Sequence, residues 1–315
     1  MLEAHGSASD EKPSNDTTEA EAGLLAEVDE VLHGERTLWR ATERLVGLTA
    51  PYVDEVCLGV PLTEGGFNVD IVSRTIVRRA HDALAAITAA VDSPARANAR
   101  VHLRTMTEDL IFLQWLRSLD EGVAAKFVQI NALVEALTAV DTQEKFLPIA
   151  YQRLGTDVPN LGFPDVTDTL ERAKNDLKEL CRGQGWWRNR PPTIRKMAEE
   201  TDLVQVYDFF YSLSSKAVHS NLHEMGRMVW GTEHTVDISS KPFEDLHPNL
   251  AVVYGTWLFH DLLSAVMGLF EPIQRLSSGQ AYGVWLALIL FRPAHNGRLP
   301  LLIHPEELRW RRGSA

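Results

Sequence analysis

The sequence is short of almost every feature that announces a familiar chemistry. Its 315 residues hold only two cysteines, Cys57 and Cys181. That excludes a disulfide framework and a thiolate metal knuckle, and both read as free thiols of a reducing compartment. There is no glycine-rich phosphate loop and no dinucleotide-binding glycine fingerprint, so the usual cradles for nucleotide phosphates are missing. No internal repeat is visible, and no convincing alternation of apolar and polar residues, which argues against a solenoid and against a sheet. Positive charge is in deficit: 31 lysines and arginines face 43 acids, for a net charge of −12. A broad nucleic-acid or anionic-membrane surface needs clustered positive charge, so both are disfavoured. Residues 1–22 are acidic and polar and lack the apolar core of a signal peptide. They are expected to form a disordered tail on a cytoplasmic protein.

What the sequence does contain is helical periodicity, nearly everywhere. The expected fold is all-α: a large multi-helix bundle over residues 23–315, with short loops. Residues 23–58 read as a helix, or as two broken near Gly34, limited by Pro51. Residues 67–91 read as a second amphipathic stretch, with Arg74, Arg78 and His81 or Asp82 on one face. Residues 95–120 follow, with Arg100, Arg104 and Glu108 repeating every four. Residues 122–153 continue as helix, with a new turn expected at Pro148, and 166–182 form a charged helix. Between them GTDVPNLGFPD, at 155–165, is a loop. Thr193 is placed to cap a short helix over 194–200.

Residues 203–229 draw the most attention and are expected to form one long helix. With Tyr211 at zero and about 100° per residue, Val204, Val218, Leu222 and Val229 fall within about 20° of it. The arc beside that apolar stripe, from about 40° to about 120°, holds Asp208, Ser212, Ser215, His219 and His223. His219 and His223 are one turn apart and can reach one point, the spacing of helical two-histidine metal sites. Ser215 and His219 have the same spacing, so the imidazole is placed to take a proton from the hydroxyl. The plainer alternative is that Ser215 bonds back to its own helix and the histidines pack at the edge of the core.

Two further stretches stand out. GQGWWRNRPPT, at 183–193, is a local basic and aromatic loop with Arg182 just before it. It is suited to stacking a base or holding a phosphate, or simply to anchoring the chain by its tryptophans. Residues 231–249 are long for a loop and are expected to be a lid or to contain a short strand. Residues 250–276 are very apolar, long enough at first sight to span a bilayer, but His260 and Asp261 sit in the middle. Residues 281–291 are too short to span. Both are expected to be central helices of the bundle rather than a membrane hairpin.

The order of these features resembles a mostly bacterial family of all-helical proteins of unknown function. The likeness rests on Arg78, His81 and Asp82 in one helix and Arg104 and Glu108 in the next. The third part is Trp187 leading to Tyr-x-x-x-Ser-x-x-x-His at Tyr211, Ser215 and His219. It covers roughly residues 65–230 and implies a helical core with a shared polar cluster, not a reaction. A second resemblance is to HEPN ribonucleases and toxins, helical bundles in which an arginine precedes a histidine by a few residues. Arg74 with His81 follows that order, as does Arg298 with His304, although Pro300 interrupts the latter.

Three functional expectations follow. The first is a non-catalytic scaffold or interaction protein, a partner in a bacterial defence or stress system or a homo-oligomer, with a buried polar cluster around His219. The second is a HEPN-like ribonuclease or other hydrolase. There His219 acts as general acid or base beside Ser215 and Tyr211, faced by Arg104, Glu108, His81 and Arg78, with RNA as a conceivable partner. The third is a metal site at His219 and His223 with nearby carboxylates. No cofactor is identifiable from the sequence.

Overall fold

A computed structural model of the protein describes residues 15–33, 36–60, 67–90, 93, 96–157, 165–211, 214, 229–231, 236–238, 246–295 and 299–301. The fold is all-helical. In chain order it comprises α1 (Asn15–His33), α2 (Thr37–Cys57), α3 (Val69–Ala89) and α4 (His102–Ser118), the last entered through a 3-10 segment at Arg96–Val101. Then come α5 (Glu121–Leu154), α6 (Thr167–Gly183), α7 (Ile194–Glu200) and α8 (Val204–Val206), which widens into a π-helical turn at Tyr207–Tyr211. After these follow α9 (Leu246–Val266), α10 (Glu271–Ser278) and α11 (Gln280–Leu286). A π-helical turn at Ala287–Phe291 then leads to α12 (Arg292–His295). Of the expected tail, residues 1–14 lie outside the described residues, and α1 begins at Asn15.

Local chemistry sets several of the boundaries. Asn68 accepts a hydrogen bond from the Ile71 amide at 3.0 Å and starts α3. Asp120 accepts from the amides of Gly122 and Val123 and starts α5. Thr193 accepts from the Lys196 amide and starts α7, as its spacing predicts. Each side chain satisfies amides that a helix N-terminus leaves without a partner. α5 ends in left-handed Gly155, which allows the chain to reverse there.

Two expectations are corrected. Pro51 does not limit its helix but lies inside it, as Pro148 lies inside α5. Both prolines are exposed, so the carbonyl that each leaves without its helical donor can be solvated. The helix expected over 203–229 does not reach Val229: it is described over Val204–Tyr211, where it widens into the π turn, and Val229–Gly231 is a strand, paired antiparallel with Val236–Ile238. A β-branched and an aromatic residue followed by glycine suit a short hairpin strand better than a helix end. The stretch 231–249 therefore does contain a short strand.

The core is organised by α9. Leu250, Val252, Val253, Leu258, Phe259, Leu262, Leu263 and Val266 are all buried and wrap most of its circumference, leaving one strip, Trp257, His260, Asp261 and Ser264, half-buried or exposed. The helix packs against α3, α4 and the 3-10 segment. Its His260 and Asp261 are half-buried, with His260 Nδ1 3.0 Å from the Tyr282 hydroxyl of α11. The middle of this apolar segment therefore meets a polar partner inside the fold. Gly255 sets how closely α9 lies on α3: a Cβ there would stand 2.8 Å from Ile87 Cδ1 and 3.6 Å from the methyl carbons Leu103 Cδ2 and Leu84 Cδ1.

A second aromatic centre joins the other half. Trp115 of α4 is fully buried against Phe127 of α5 at 5.2 Å and Trp186 at 5.4 Å. Its indole N–H donates to Glu200 of α7 at 3.0 Å, so the large apolar body is buried without stranding its polar end. α6 lies along α5, yet Leu133, Phe146, Ile149 and Leu154 of α5 remain exposed. Among the described residues α5 alone is long and apolar enough to cross a membrane, by length and composition.

Gly255→Ala is expected to lower stability by about 1 kcal/mol, since overpacking of about 1–3 kcal/mol outweighs the better helix propensity of alanine. In an Ile87→Val background, which removes the atom in the way, the same substitution becomes neutral or stabilising. Urea midpoints of the four proteins decide it; an equal cost in both backgrounds would mean that the close approach does not set the residue.

Candidate functional site

The polar residues of α4 lie on two faces. Arg104 and Glu108 are one turn apart, and the Arg104 Nε donates to Glu108 Oε1 at 3.0 Å. Arg104 Nη2 also donates to the Tyr211 hydroxyl at 3.1 Å, and the guanidinium carbon stands 4.7 Å from the Tyr211 ring centre. The π turn places Tyr207 flat against Tyr211, with centroids 4.6 Å apart and planes 16° from parallel. At the other end of this pair lies Arg195 of α7, 5.8 Å from the Tyr207 ring. Arg195 in turn donates to Asp208 at 3.0 Å and sits 3.6 Å from Glu199. The result is a layered stack, arginine–tyrosine–tyrosine–arginine, with a carboxylate at each end. It ties α4, α7 and the π turn together.

The stack is only partly solvated: the Arg104 and Glu108 side chains are 25% and 34% exposed. The hydrogen bond to Glu108 holds the Arg104 guanidinium above its ordinary pKa. Burial, and after it the neighbouring Tyr211, pushes the Tyr207 phenol up, so it stays protonated at neutral pH. Ser214, just beyond the turn, is buried and donates to the Phe210 carbonyl.

The other face of α4 carries Asp109, buried and 3.4 Å from Arg79 of α3. Desolvation by burial lifts its carboxyl from 3.8 to about 6; Arg79 opposes the shift and Glu108 adds to it. Its Oδ2 has no hydrogen-bond partner among the described residues.

The remaining expected site residues fall elsewhere. Arg78 donates to Asp54 of α2. His81 is buried, with Nε2 3.2 Å from the Val46 carbonyl oxygen of α2 and the ring 6.2 Å from Phe259. Arg74 donates to Asp70 and to the Val56 carbonyl and lies over the Phe270 ring. Arg74, Arg78 and His81 thus line the seam between α3 and α2, and the groups they touch are not those that Arg104, Glu108 and Tyr211 touch. The structure brings together Arg104, Glu108 and Tyr211; it places Arg78 and His81 apart from them. Ser215, His219 and His223, and with them the expected metal pair, lie outside the described residues, as do Arg298 and His304. Among the described residues no three His, Cys, Asp or Glu side chains gather as a metal ion would require.

Sequence reasoning missed two members of the stack. Tyr207 reads as one more residue of the apolar stripe, and Arg195 sits on a separate short helix with no periodic relation to Tyr211. The tryptophan loop divides its labour. Trp186 packs on Trp115 and Phe127, whereas Trp187 is 76% exposed, with the Arg188 guanidinium 4.0 Å from its ring centre.

A family model matches residues 70–235, just over half of the chain. The chain belongs to DUF5677, a family of unknown function. The DUF5677 stretch begins at the start of α3 and ends just past the Val229–Gly231 strand, so it holds the whole Arg104–Tyr211–Tyr207–Arg195 stack and the Arg79–Asp109 pair. The helices α1, α2 and α9 to α12 lie outside the matched DUF5677 residues. No curated protein and no solved structure matches the chain.

The Asp109 carboxyl generates a pH prediction. Its folded pKa lies above its unfolded one, so the folded state binds the proton more tightly. The stabilisation is therefore present below about pH 4 and is lost as pH rises through about 6, an effect of up to roughly 3 kcal/mol. Asp109→Asn is expected to remove this dependence. The stability gap between variant and wild type, from urea titrations, should move in favour of the variant between about pH 4 and about pH 7. Parallel curves over that range would contradict the assignment.

Proposed function

We propose that the chain is a non-catalytic helical scaffold or interaction protein, in which the Arg104–Glu108–Tyr211 cluster is a structural clamp fixing the segment after α7 onto α4. The observation that carries this reading is the state of the two arginines. Each already holds a carboxylate, Arg104 through Glu108 and Arg195 through Asp208. An arginine meant to hold a phosphate or a developing negative charge needs its donors aimed at the ligand. Here they are engaged within the chain, and Tyr207, the tyrosine next to Arg195, has its phenol pushed up by burial and so stays neutral.

The same reading covers the α2–α3 seam. Arg74 and His81, the pair in HEPN-like order, are directed at backbone carbonyls of α2, which is how a helix pair satisfies long polar side chains at its border.

A double-mutant cycle tests the clamp. Arg104→Met and Tyr211→Phe should each destabilise the protein, with a coupling of about 1 kcal/mol, modest because the pair is partly solvated. Thermal and urea unfolding of the four proteins measure it. A cycle with no coupling and no loss of stability would remove the structural role.

A further inference from the structure

A groove of about 880 Å³ lies against α1, α2 and α11. Leu24, Val31, Leu48 and Trp285 give it an apolar floor. Glu27 and Glu30 line it from α1, and Arg40, Glu43 and Arg44 from α2. Among the described residues these five charged side chains form no ion pair, unlike the arginines of α3, α4 and α7.

Two glycines sharpen the picture. Gly23 of α1 and Gly47 of α2 both line the groove, and a Cβ added to either would meet nothing within 4 Å among the described residues. Glycine is unfavourable in a helix interior relative to alanine, and no neighbour among the described residues demands it here. Glycine does allow another backbone to approach closely. Pro51, one turn after Gly47, has no N–H, so the Gly47 carbonyl also lacks its helical donor.

We propose that this groove is filled by the α1–α2 hairpin of a second copy of the chain, so that two hairpins close a four-helix interface about a two-fold axis. Size supports a helix as the occupant: a helix about 10 Å across takes up roughly 400 Å³ per turn, so the groove holds about two turns. Charge supports a second copy. A two-fold axis that sets α1 of one copy against α2 of the other brings Glu27 and Glu30 of each onto Arg40 and Arg44 of its mate. The hairpin also carries Leu25, 68% exposed, beside the apolar floor residue Leu24. This names a partner for the interaction role proposed above. Its test reads oligomeric state alone, so a negative result removes this partner without touching the clamp.

Light scattering coupled to size exclusion on the full chain, at up to about 100 μM, is the experiment. The wild type is expected at twice the 35.2 kDa chain mass. Gly47→Trp, which fills the groove without an internal clash, is expected at the monomer mass with unchanged circular dichroism. Arg40→Glu with Arg44→Glu, and separately Glu27→Arg with Glu30→Arg, are each expected to be monomeric. Mixing these two charge-reversed proteins is expected to restore the dimer mass. A monomeric wild type overturns the proposal, as does a dimer indifferent to both Gly47→Trp and the charge reversals.

Discussion

The close approach of α9 to α3 at Gly255 is the constraint on which the rest of the molecule depends. The strip of Trp257, His260, Asp261 and Ser264 fixes which side of α9 faces outward, but it does not set how deep the helix lies. Steric contact has to do so. With hydrogen at position 255, the backbone of α9 comes down onto Ile87 and Leu84 of α3 and Leu103 of α4. Those two helices are thereby held in one relation, because a close-packed interior transmits small displacements instead of absorbing them. The opposite face of α3 then meets α2, and the far side of α4 presents Arg104 to the π turn.

From that arrangement the polar pattern follows as a border around the core. Each charged residue of α3 and α4 named above leaves the buried layer at its edge and meets a partner there. Arg74 and Arg78 meet α2, Arg79 meets Asp109, and Arg104 meets Glu108 and Tyr211. Exposed or half-exposed ion pairs contribute only about 0–1 kcal/mol each, far less than the burial of Trp115 or Phe259, at about 1.5–3 kcal/mol or more per large side chain. The pairs therefore select a geometry more than they supply stability. Asp109 is the exception: its burial outweighs the attraction of Arg79, and its cost is felt as a raised pKa.

The helical class was legible because its signals are local. Period, caps and breaks lie within a few residues of one another, as Asn68, Asp120 and Thr193 illustrate. Pro51 misled because the lost donor and the crowding of the carbonyl four residues back are more easily borne where that carbonyl is solvated, and exposure is not written in the local sequence. Half of the polar cluster was legible for the same reason: Arg104 and Glu108 are a one-turn pair. Their link to Tyr211 spans 107 residues, and that of Arg195 to Tyr207 crosses two short helices. No periodicity encodes either. Tyr207 falls about 40° from Tyr211 at helical period, so its face was legible, but its place in a stack closed by Arg104 and Arg195 was not.

The family match stops at residue 235, before the helix that completes the core begins at Leu246. The conflict is resolved by asking what α9 must be. Toward α3 and α4 it has to be apolar, with one residue small enough at the crossing for Ile87 to fit. Many sequences satisfy such a condition, because hydrophobic segments of the right volume substitute for one another with little loss. The clamp tolerates far less: a guanidinium, a carboxylate and two stacked phenols have to meet within hydrogen-bonding and stacking distance. A match that rests on residue identity can therefore hold from α3 to the Val229–Gly231 strand and end before α9, although physically α9 is what makes the matched helices a core.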